Sequence, residues 1–263
     1  MKKALLVGIN EYSDADASLY GCINDVNLMH DLLLKHYSFD HISTLKDEQA
    51  SFENITISLR QLVSDVLPND TILFHYSGHG SQVPDYDNDE KDYLDECLCP
   101  YELDWNNMIT DDILKDIFKD VHCHAVLILD SCHSGTMLRN LSETNSTRPR
   151  FLHPPLSILN RNGQRNWRVK RLNNITAHDT ILITGCKERQ TSADAYIPEI
   201  AKYHGALTYY LDQALLKSKY NVSYSSLVSQ TRKLLRTQKF DQIPQLETVK
   251  ANFNKNFLNS VGI

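Results

Sequence analysis

The fold of this chain is organised around one stretch, Leu127-Ile128-Leu129-Asp130-Ser131-Cys132-His133-Ser134-Gly135, in which an apolar run ends in Asp-Ser-Cys. Such a run predicts a buried strand that carries a thiol to the edge of a sheet. A second stretch of the same form, Thr71-Ile72-Leu73-Phe74-His75-Tyr76-Ser77-Gly78-His79-Gly80, carries a histidine. Two strands that each end in a reactive side chain beside glycine predict a catalytic pair, Cys132 and His79.

Length, composition and net charge restrict the kind of protein that this chain can be. The chain has 263 residues, of which 41% are hydrophobic and 23% charged, with a net charge of −6. We expect a single domain over 1–263 and no nucleic-acid partner, because such partners call for a basic chain or face. No apolar run approaches the ~18 residues of a membrane helix. The six cysteines are scattered, which fits a reducing compartment, so we expect free thiols and a cytoplasmic location.

Strand and helix patterns alternate along the chain. Alternation predicts an α/β fold with a mostly parallel sheet covered by helices on both faces. The predicted strands are 3–9, 39–45, one that begins at 71 and leads to His79, a short one at 97–99, 122–130 and 180–184. The predicted helices are 24–35, 54–67, one that begins after an N-cap at Thr110, 206–217 and 225–235. Ligands of such sheets bind beyond the carboxyl ends of the strands. His79 and Cys132 are therefore expected at one edge of the sheet.

The chemistry of this pair is that of a cysteine nucleophile and its base. A cysteine attacks as thiolate, and its free pKa of ~8.5 leaves it mostly protonated at neutral pH. His79 can take that proton and pass it to a leaving amine. The backbone N–H groups of Gly80 and Cys132 are the expected oxyanion-hole donors, because an attacked carbonyl would lie between them.

Strand alternation places two more polar residues near the pair. Residues two apart on a strand face the same side, so Asp130 should share the side of Cys132, and Ser77 that of His79. A carboxylate beside the thiol opposes thiolate formation, and one reason for its presence is to receive an Arg or Lys side chain of a substrate. The alternative is that Asp130 only caps a backbone turn.

These two stretches resemble the signature segments of the metacaspases, within the caspase-like clan. The segments are His75-Tyr76-Ser77-Gly78-His79-Gly80-Ser81 and Asp130-Ser131-Cys132-His133-Ser134-Gly135. Further segments similar to the family lie, in order, at 4–10, 21–26, 185–194, 236–237 and 242–246. The resemblance therefore covers nearly the whole chain.

The resemblance implies a caspase-like sandwich around a central six-stranded sheet. Its parts would be a large-subunit-like part (1–138), a connector (139–176) and a small-subunit-like part (177–263). Because the first strand starts at Lys3, we expect a compact form without an N-terminal prodomain. We also expect a monomer, since metacaspases often block the sheet edge through which caspases pair.

The resemblance also assigns roles to individual residues. Cys132 would be the nucleophile and His79 the base of a thiol endopeptidase that acts on proteins or peptides. The pocket for the residue before the cleaved bond would be lined by Cys22, Asp25, Ser77 and Asp130. Asp25 and Asp130 would hold a substrate cation, so we expect cleavage after Arg or Lys and not after Asp.

An acidic loop at 85–96 raises the question of calcium. Asp85, Asp87, Asp89 and Glu96 fall at EF-hand positions 1, 3, 5 and 12, but Glu90 stands where that loop requires glycine, which excludes an EF-hand. The resemblance instead places Asp95, Asp111 and Asp112 at calcium-ligand positions.

A fourth ligand position of that family site is occupied by Arg139, a cation that would repel calcium. We expect Ca²⁺ as an activating cofactor, and with Arg139 at this position the expected site is weaker, altered or absent. The alternatives are a solvated loop and ordinary acids of a helix N-terminus.

The connector is strongly basic. Between 139 and 176 it carries eight Arg or Lys residues against one acid, Glu143. An enzyme that cuts after Arg or Lys could cut itself there, so we expect a zymogen that processes itself in this region. The alternative is a surface loop that stays uncut.

Two other classes of function remain open. One is a non-proteolytic scaffold or aggregate-binding protein on the same fold, although the four residues Cys132, His79, Asp25 and Asp130 would then be unnecessary together. The other is a zinc module. Cys97, Cys99 and the run His122-Cys123-His124 have poor spacings for structural zinc, and alternating strand positions explain them better.

Overall fold

The computed structural model describes residues 1–84, 94–132, 147–159, 179–187 and 190–259. Its helices are α1 (Cys22–Tyr37), α2 (Phe52–Val63), α3 (Asp111–Phe118), α4 (Leu156–Leu159), α5 (Ala206–Lys217) and α6 (Tyr224–Thr237). Its strands are β1 (Lys2–Gly8), β2 (His41–Lys46), β3 (Thr71–Ser77), β4 (Gly80–Pro84), β5 (Leu94–Leu98), β6 (Ile109–Thr110), β7 (His124–Asp130), β8 (Thr147–Pro149), β9 (Thr180–Thr184), β10 (Ala193–Ile197), β11 (Lys202–Gly205) and β12 (Gln245–Glu247).

A six-stranded sheet forms the centre of the fold, in the order β12-β9-β7-β3-β1-β2. Five strands are parallel, and β12 joins the outer side of β9 antiparallel. The mostly parallel six-stranded sheet expected from the sequence is therefore confirmed. Two small antiparallel sheets, β4-β5-β6 and β8-β10-β11, accompany it. Of the strands in these two sheets, only β5 was anticipated, by the short strand predicted at 97–99, because strands of two to five residues leave almost no periodic signal.

The sheet is covered on both faces, as alternation along β7 illustrates. Ala125, Leu127 and Leu129 belong to an apolar cluster that includes residues of α2 and α3. Val126 and Ile128 belong to a second cluster with residues of α1, α5 and α6. Because side chains alternate along a strand, Asp130 continues the row of Val126 and Ile128. The carboxylate therefore lies on the face of the sheet covered by α1 and α5.

Helix boundaries follow the capping residues. Thr110 caps α3 as predicted, and its hydroxyl accepts a hydrogen bond from the N–H of Ile113. Ser51 caps α2 in the same way through the N–H of Asn54, so that helix begins before the predicted position 54. It also ends at Val63 rather than at 67, because Ser64 adopts an extended conformation. None of the helices in the described ranges is both long and apolar enough to cross a membrane.

Candidate active site

The predicted site residues lie beyond the carboxyl ends of two neighbouring parallel strands. Ser77 at the end of β3 is directly opposite Asp130 at the end of β7. His79 and Cys132 follow two residues after each of these positions. The pairing of β3 with β7 therefore brings all four residues to one edge of the sheet, which is where parallel sheets bind their ligands.

Two buried tyrosines hold the turn that carries His79. The backbone N–H of His79 donates to the Tyr12 hydroxyl at 2.7 Å, and the Tyr76 hydroxyl donates to the His79 carbonyl at 2.8 Å. A Cβ on Gly78 would lie 2.6 Å from the Tyr76 oxygen. Glycine is therefore required at this turn because both hydroxyls approach the backbone so closely. The sequence did not single out either tyrosine.

The His79 ring is held by one nitrogen, and the other carries no proton. Its Nε2 lies 2.8 Å from the carbonyl oxygen of Ala17. A carbonyl only accepts hydrogen bonds, so we assign the proton of the neutral ring to Nε2. Nδ1 is buried and has no hydrogen-bond partner among the described residues. Burial lowers the pKa of His79 to about 3, so the ring is neutral at physiological pH.

The Cys132 thiol is fully buried and points toward the neighbouring strand end. Its Sγ lies 3.3 Å from Sγ of Cys186 and also contacts the N–H of Ser192. Burial raises the pKa of Cys132 well above its ordinary value. Within the described ranges, no hydrogen bond joins this thiol to the His79 ring.

A residue of the basic connector, Arg150, occupies the space between these groups. Its carbonyl oxygen accepts one hydrogen bond from the N–H of Gly80 at 3.0 Å and another from the N–H of Cys132 at 3.1 Å. These are the two N–H groups that the sequence analysis expected to hold an oxyanion. A peptide carbonyl therefore already lies between both donors, next to the residue that carries the thiol.

The Arg150 side chain fills an acidic pocket and is 0% exposed. Its Nη2 lies 2.9 Å from a carboxylate oxygen of Asp25 and 2.9 Å from one of Asp194. Its Nη1 donates to the Ser77 hydroxyl at 2.7 Å and lies 3.5 Å from a carboxylate oxygen of Asp130. A buried guanidinium costs several kcal/mol unless it is paired and hydrogen-bonded, and this pocket supplies both kinds of partner.

The two predicted carboxylates are themselves fixed by hydrogen bonds. Asp25 accepts one from Nδ1 of His204 at 2.8 Å. Burial raises the pKa of Asp25, but the Arg150 guanidinium and the bond from His204 outweigh it and hold that pKa below its ordinary value. Asp130 accepts from the N–H and hydroxyl of Thr208, both at 2.8 Å. Burial raises the pKa of Asp130, whereas the bonds from Thr208 and the guanidinium favour its ionised form.

The remaining predicted pocket residue, Cys22, is also buried here. Its thiol interacts with Ser77 and the Arg150 charge, and burial raises its pKa above the ordinary value, so it lines the pocket as a neutral group. Gly205 closes the pocket, since a Cβ there would collide with Asp130 and with the Arg150 guanidinium. The sequence analysis did not find Gly205, His204 or Thr208. Asp194 lies in the segment 185–194 that resembles the family, but no role was predicted for it.

Arg150 belongs to an extended stretch, residues 147–152, which we call the inserted segment. Its strand β8 pairs antiparallel with β10. The N–H of Arg150 donates to the Ser192 carbonyl at 3.0 Å, and the N–H of Leu152 donates to the Gly80 carbonyl at 3.0 Å. The sequence analysis expected loop-rich structure here. The inserted segment is extended because β10 of the small-subunit-like part offers it a strand edge to pair with.

A second arginine of the inserted segment has its own binding place. The guanidinium carbon of Arg148 lies 4.4 Å from the centre of the Tyr20 ring. Its two terminal nitrogens donate to the Tyr20 hydroxyl at 2.9 Å and to the Ser18 carbonyl at 2.8 Å. Both contacts come from the loop before α1. The cation thus meets a ring face and two oxygens at an exposed position.

The residues expected to bind calcium are arranged differently. The Lys115 ammonium lies 2.8 Å from carboxylate oxygens of both Asp111 and Asp112, one helical turn away. A protein cation therefore already pairs with both carboxylates. Asp95 is buried on β5. In the part of the chain that the structure describes, no three His, Cys, Asp or Glu side chains form a metal-binding group.

A calcium ion bound by Asp111 and Asp112 would therefore have to displace the Lys115 ammonium. The zinc alternative likewise gains no cluster from the described residues. Arg139 and the acidic residues Asp85, Asp87 and Asp89 lie outside the described residues, as does most of the connector.

Comparison with known proteins identifies relatives of this chain. Residues 2–141 match the family model described as "Metacaspase, peptidase C14 domain". The chain is 35% identical to Metacaspase-1 of Debaryomyces hansenii, over 93% of this chain and 64% of that protein. It is 33% identical to Metacaspase-1 of Schizosaccharomyces pombe, over 93% and 66%, and 33% identical to Metacaspase-1 of Arabidopsis thaliana, over 89% and 65%. The chain thus spans just under two thirds of the length of these relatives.

A similar fold occurs in a solved structure. The crystal structure of protein GSU0716 from Geobacter sulfurreducens superposes with a TM-score of 0.73 and covers 99% of both chains. The two sequences are 24% identical. At that identity the likeness concerns the fold alone.

Proposed function

We propose that this chain, which belongs to the metacaspase family, is a cysteine endopeptidase that cleaves its substrates after arginine or lysine. One observation carries the proposal. The Arg150 carbonyl lies between the N–H groups of Gly80 and Cys132 while the Arg150 side chain fills the pocket of Asp25, Asp130 and Asp194. A substrate bound in this way would present its carbonyl carbon to the Cys132 thiol.

The proposed reaction uses His79 twice. Nδ1 accepts the thiol proton of Cys132, and the thiolate sulfur bonds to the carbonyl carbon of the substrate. The N–H groups of Gly80 and Cys132 stabilise the oxyanion that forms. The C–N bond then breaks as His79 returns the proton to the leaving amine, and water hydrolyses the thioester. The first step requires the thiol to turn from Cys186 until it is within hydrogen-bond reach of His79.

The acidic pocket supports a preference for arginine over lysine. A guanidinium reaches Asp25, Asp194 and Ser77 with two separate nitrogens, as Arg150 does. A lysine ammonium presents a single nitrogen and leaves part of this acceptor set unpaired. An aspartate side chain would be repelled by the same carboxylates.

We further propose that the chain cuts itself between Arg150 and Phe151. The inserted segment supports this because it lies as a substrate would, paired with β10 on one side of the bond and hydrogen-bonded to Gly80 on the other. A fully buried Arg150 also leaves no room for another arginine. The chain is therefore proposed as a zymogen. Either the cut or the loss of the Arg150 guanidinium, whose ion pairs anchor the inserted segment, should open the pocket to other substrates.

The proposal is tested first on the chain itself. The wild type should convert into fragments 1–150 and 151–263, identified by intact mass and by an N-terminal sequence that begins at Phe151. The rate should be first order and independent of protein concentration, because the bond is bound within its own chain. Cys132→Ala and Arg150→Gln should stay whole, whereas Arg148→Gln, a matched loss of charge two residues away, should still be cut at the same bond. A cut elsewhere would refute the Arg150 assignment.

Fluorogenic peptides that end in Arg, Lys or Asp test the specificity. Arg150→Gln should cleave the arginine peptide fastest and leave the aspartate peptide intact, and Cys132→Ala should cleave none. Cleavage after aspartate would overturn the pocket assignment. A folded protein that cuts neither itself nor any peptide would favour the scaffold function.

Three further properties are proposed on narrower grounds. All six cysteines are free thiols, which supports a reducing, cytoplasmic location. β12 forms the edge of the sheet beyond β9 and has only three residues, which supports a monomer because so short an edge strand offers few groups for pairing. Calcium activation stays a prediction, on which no step of the reaction above depends.

A further inference from the structure

Two thiols meet at the candidate active site, although the proposed reaction needs only one. Cys132 follows β7 and Cys186 follows β9, and these strands are parallel neighbours. The N–H of Gly185 donates to the Leu129 carbonyl at 3.0 Å, so the pairing continues past the end of β9. Both side chains point into the same space, where their sulfur atoms lie 3.3 Å apart.

This placement suits a disulfide without movement of the strands. Disulfide sulfurs lie about 2.05 Å apart, and the two sulfurs here already lie 3.3 Å apart. The two sulfurs need to approach each other only from contact distance to bonding distance. Rotation of the side chains supplies such a change, whereas cysteines on distant elements would require the backbone to shift.

The two thiols differ in access to solvent. Cys186 is partly exposed, while the other five cysteines are buried. The Cys186 thiol is oriented by a hydrogen bond to the Gln190 carbonyl at 3.1 Å. A small oxidant therefore meets Cys186 before it meets any other thiol of the chain.

We propose that Cys186 is an oxidation site that forms a reversible disulfide with Cys132 when the protein meets hydrogen peroxide. The peroxide oxidises the Cys186 thiol to a sulfenic acid and is itself reduced to water. The Cys132 sulfur then attacks the sulfenic sulfur, an S–S bond forms, and the hydroxyl leaves as a second water with the thiol proton. In sum, two thiols and one peroxide give one disulfide and two waters.

The consequence would be control of the site by redox state. A Cys132 sulfur held in a disulfide cannot attack a carbonyl, and a thiol reductant restores it. The disulfide also protects the nucleophile from further oxidation to sulfinic acid, which is irreversible in most proteins. This control rests on the proposed peptidase function, but formation of the bond does not.

The test compares the full-length wild type with Cys186→Ser and with Cys123→Ser, which removes a buried thiol outside the site. Each protein is treated with a few equivalents of hydrogen peroxide, alkylated in denaturant and digested for mass spectrometry. The wild type and Cys123→Ser should each lose two alkylatable thiols and yield one peptide pair that joins Cys132 to Cys186. Dithiothreitol should restore both thiols. Cys186→Ser should form no such pair.

Activity on an arginine peptide, relative to each untreated protein, gives the second readout. The wild type should lose more than about nine tenths of its activity and regain it with dithiothreitol, whereas the loss in Cys186→Ser should not be reversed. Retention of both thiols, or a disulfide that omits Cys132 or Cys186, would overturn the proposal. If the untreated wild type cleaves no peptide, the peptidase function fails, while the thiol count still decides the disulfide.

Discussion

The carbonyl oxygen of Arg150 accepts a hydrogen bond from the backbone N–H of Cys132 at 3.1 Å. The proposed nucleophile and a residue of the chain's own connector are therefore in direct contact. The Arg150 guanidinium is at the same time buried among acidic side chains. Arg150 is therefore held at the site both by its backbone and by its side chain. Recognition of arginine and placement of the reacting bond are thus achieved by one set of contacts.

Removal of one pocket charge should abolish recognition of arginine. Asp25→Asn, introduced into the Arg150→Gln background, should lower kcat/KM for an arginine peptide at least about a hundredfold, because loss of one partner of a buried ion pair costs ~3–5 kcal/mol. Asp31→Asn is the matched control on the same helix, where the carboxylate is mostly exposed and pairs with Lys35. If Asp25→Asn cleaved the arginine peptide at an unchanged rate, Asp25 would not be a residue that binds the substrate arginine.

The Tyr20 ring should favour substrates with a basic residue two positions before the pocket arginine. In the Arg150→Gln background, peptides with Arg at that position should be cleaved about three- to tenfold faster than peptides with Ala, as expected for an exposed cation–π contact with added hydrogen bonds. Tyr20→Ala should erase this preference without slowing the alanine peptide, and Tyr20→Phe should keep part of it. Equal rates for both peptides in the parent protein would show that the contact with Arg148 has no role in selectivity.

Two buried histidines should make the fold sensitive to mild acid. Burial lowers the pKa of His79 to about 3 and that of His75 to about 4, from an ordinary value of 6.5. Below pH 6.5 the unfolded chain binds protons that the folded chain does not. The free energy of unfolding therefore decreases as the pH is lowered, until the pH reaches the pKa values of the folded state. When the pH is lowered from 6.5 to 5, each histidine should reduce the free energy of unfolding by about 2 kcal/mol.

Denaturant unfolding of Cys132→Ala, which stays whole, would measure this loss. His75→Gln in that protein should make the decrease in the free energy of unfolding between pH 6.5 and 5 smaller by about 2 kcal/mol. The decrease due to His79 should remain. A free energy of unfolding that is flat from pH 7 to 5 would contradict the assignment of both rings as neutral.

Loss of the Lys115 ammonium should strengthen calcium binding. Lys115→Met leaves the Asp111 and Asp112 carboxylates without the cation that now lies 2.8 Å from each, so their attraction for Ca²⁺ rises. Isothermal titration should show at least about tenfold tighter binding than in the wild type. Lys119→Met, which breaks the neighbouring pair with Asp116, should change nothing. Equal affinity in the wild type and Lys115→Met would show that Lys115 does not compete with calcium.

The sequence was most informative where local pattern determines geometry. The parallel strands predicted His79 and Cys132 at one edge of the sheet, and the pairing of β3 with β7 brings the ends of both strands together there, with Ser77 opposite Asp130. The apolar runs that mark strand ends also located His79 and Cys132. These are properties of a few consecutive residues, and tertiary packing did not override them.

Residues brought in from other parts of the chain escaped prediction. Asp194 reaches the pocket through β10, and Tyr12 and Tyr76 contribute hydroxyls to a turn that neither sequence position reveals. Arg150 is one of eight basic residues in the connector, and nothing in its neighbours distinguishes it. Its role depends on distances across the fold, which hydrophobic periodicity does not contain.

The central sheet would be shared between two polypeptides once the bond after Arg150 is cut. Strands β7, β3, β1 and β2 would then belong to one polypeptide and β9 and β12 to another, joined only where β7 pairs with β9. Unfolding of the cut protein releases two chains instead of one, so its melting temperature should rise with protein concentration, whereas that of the uncut chain should not. Dilution would become a means of inactivating the mature protein.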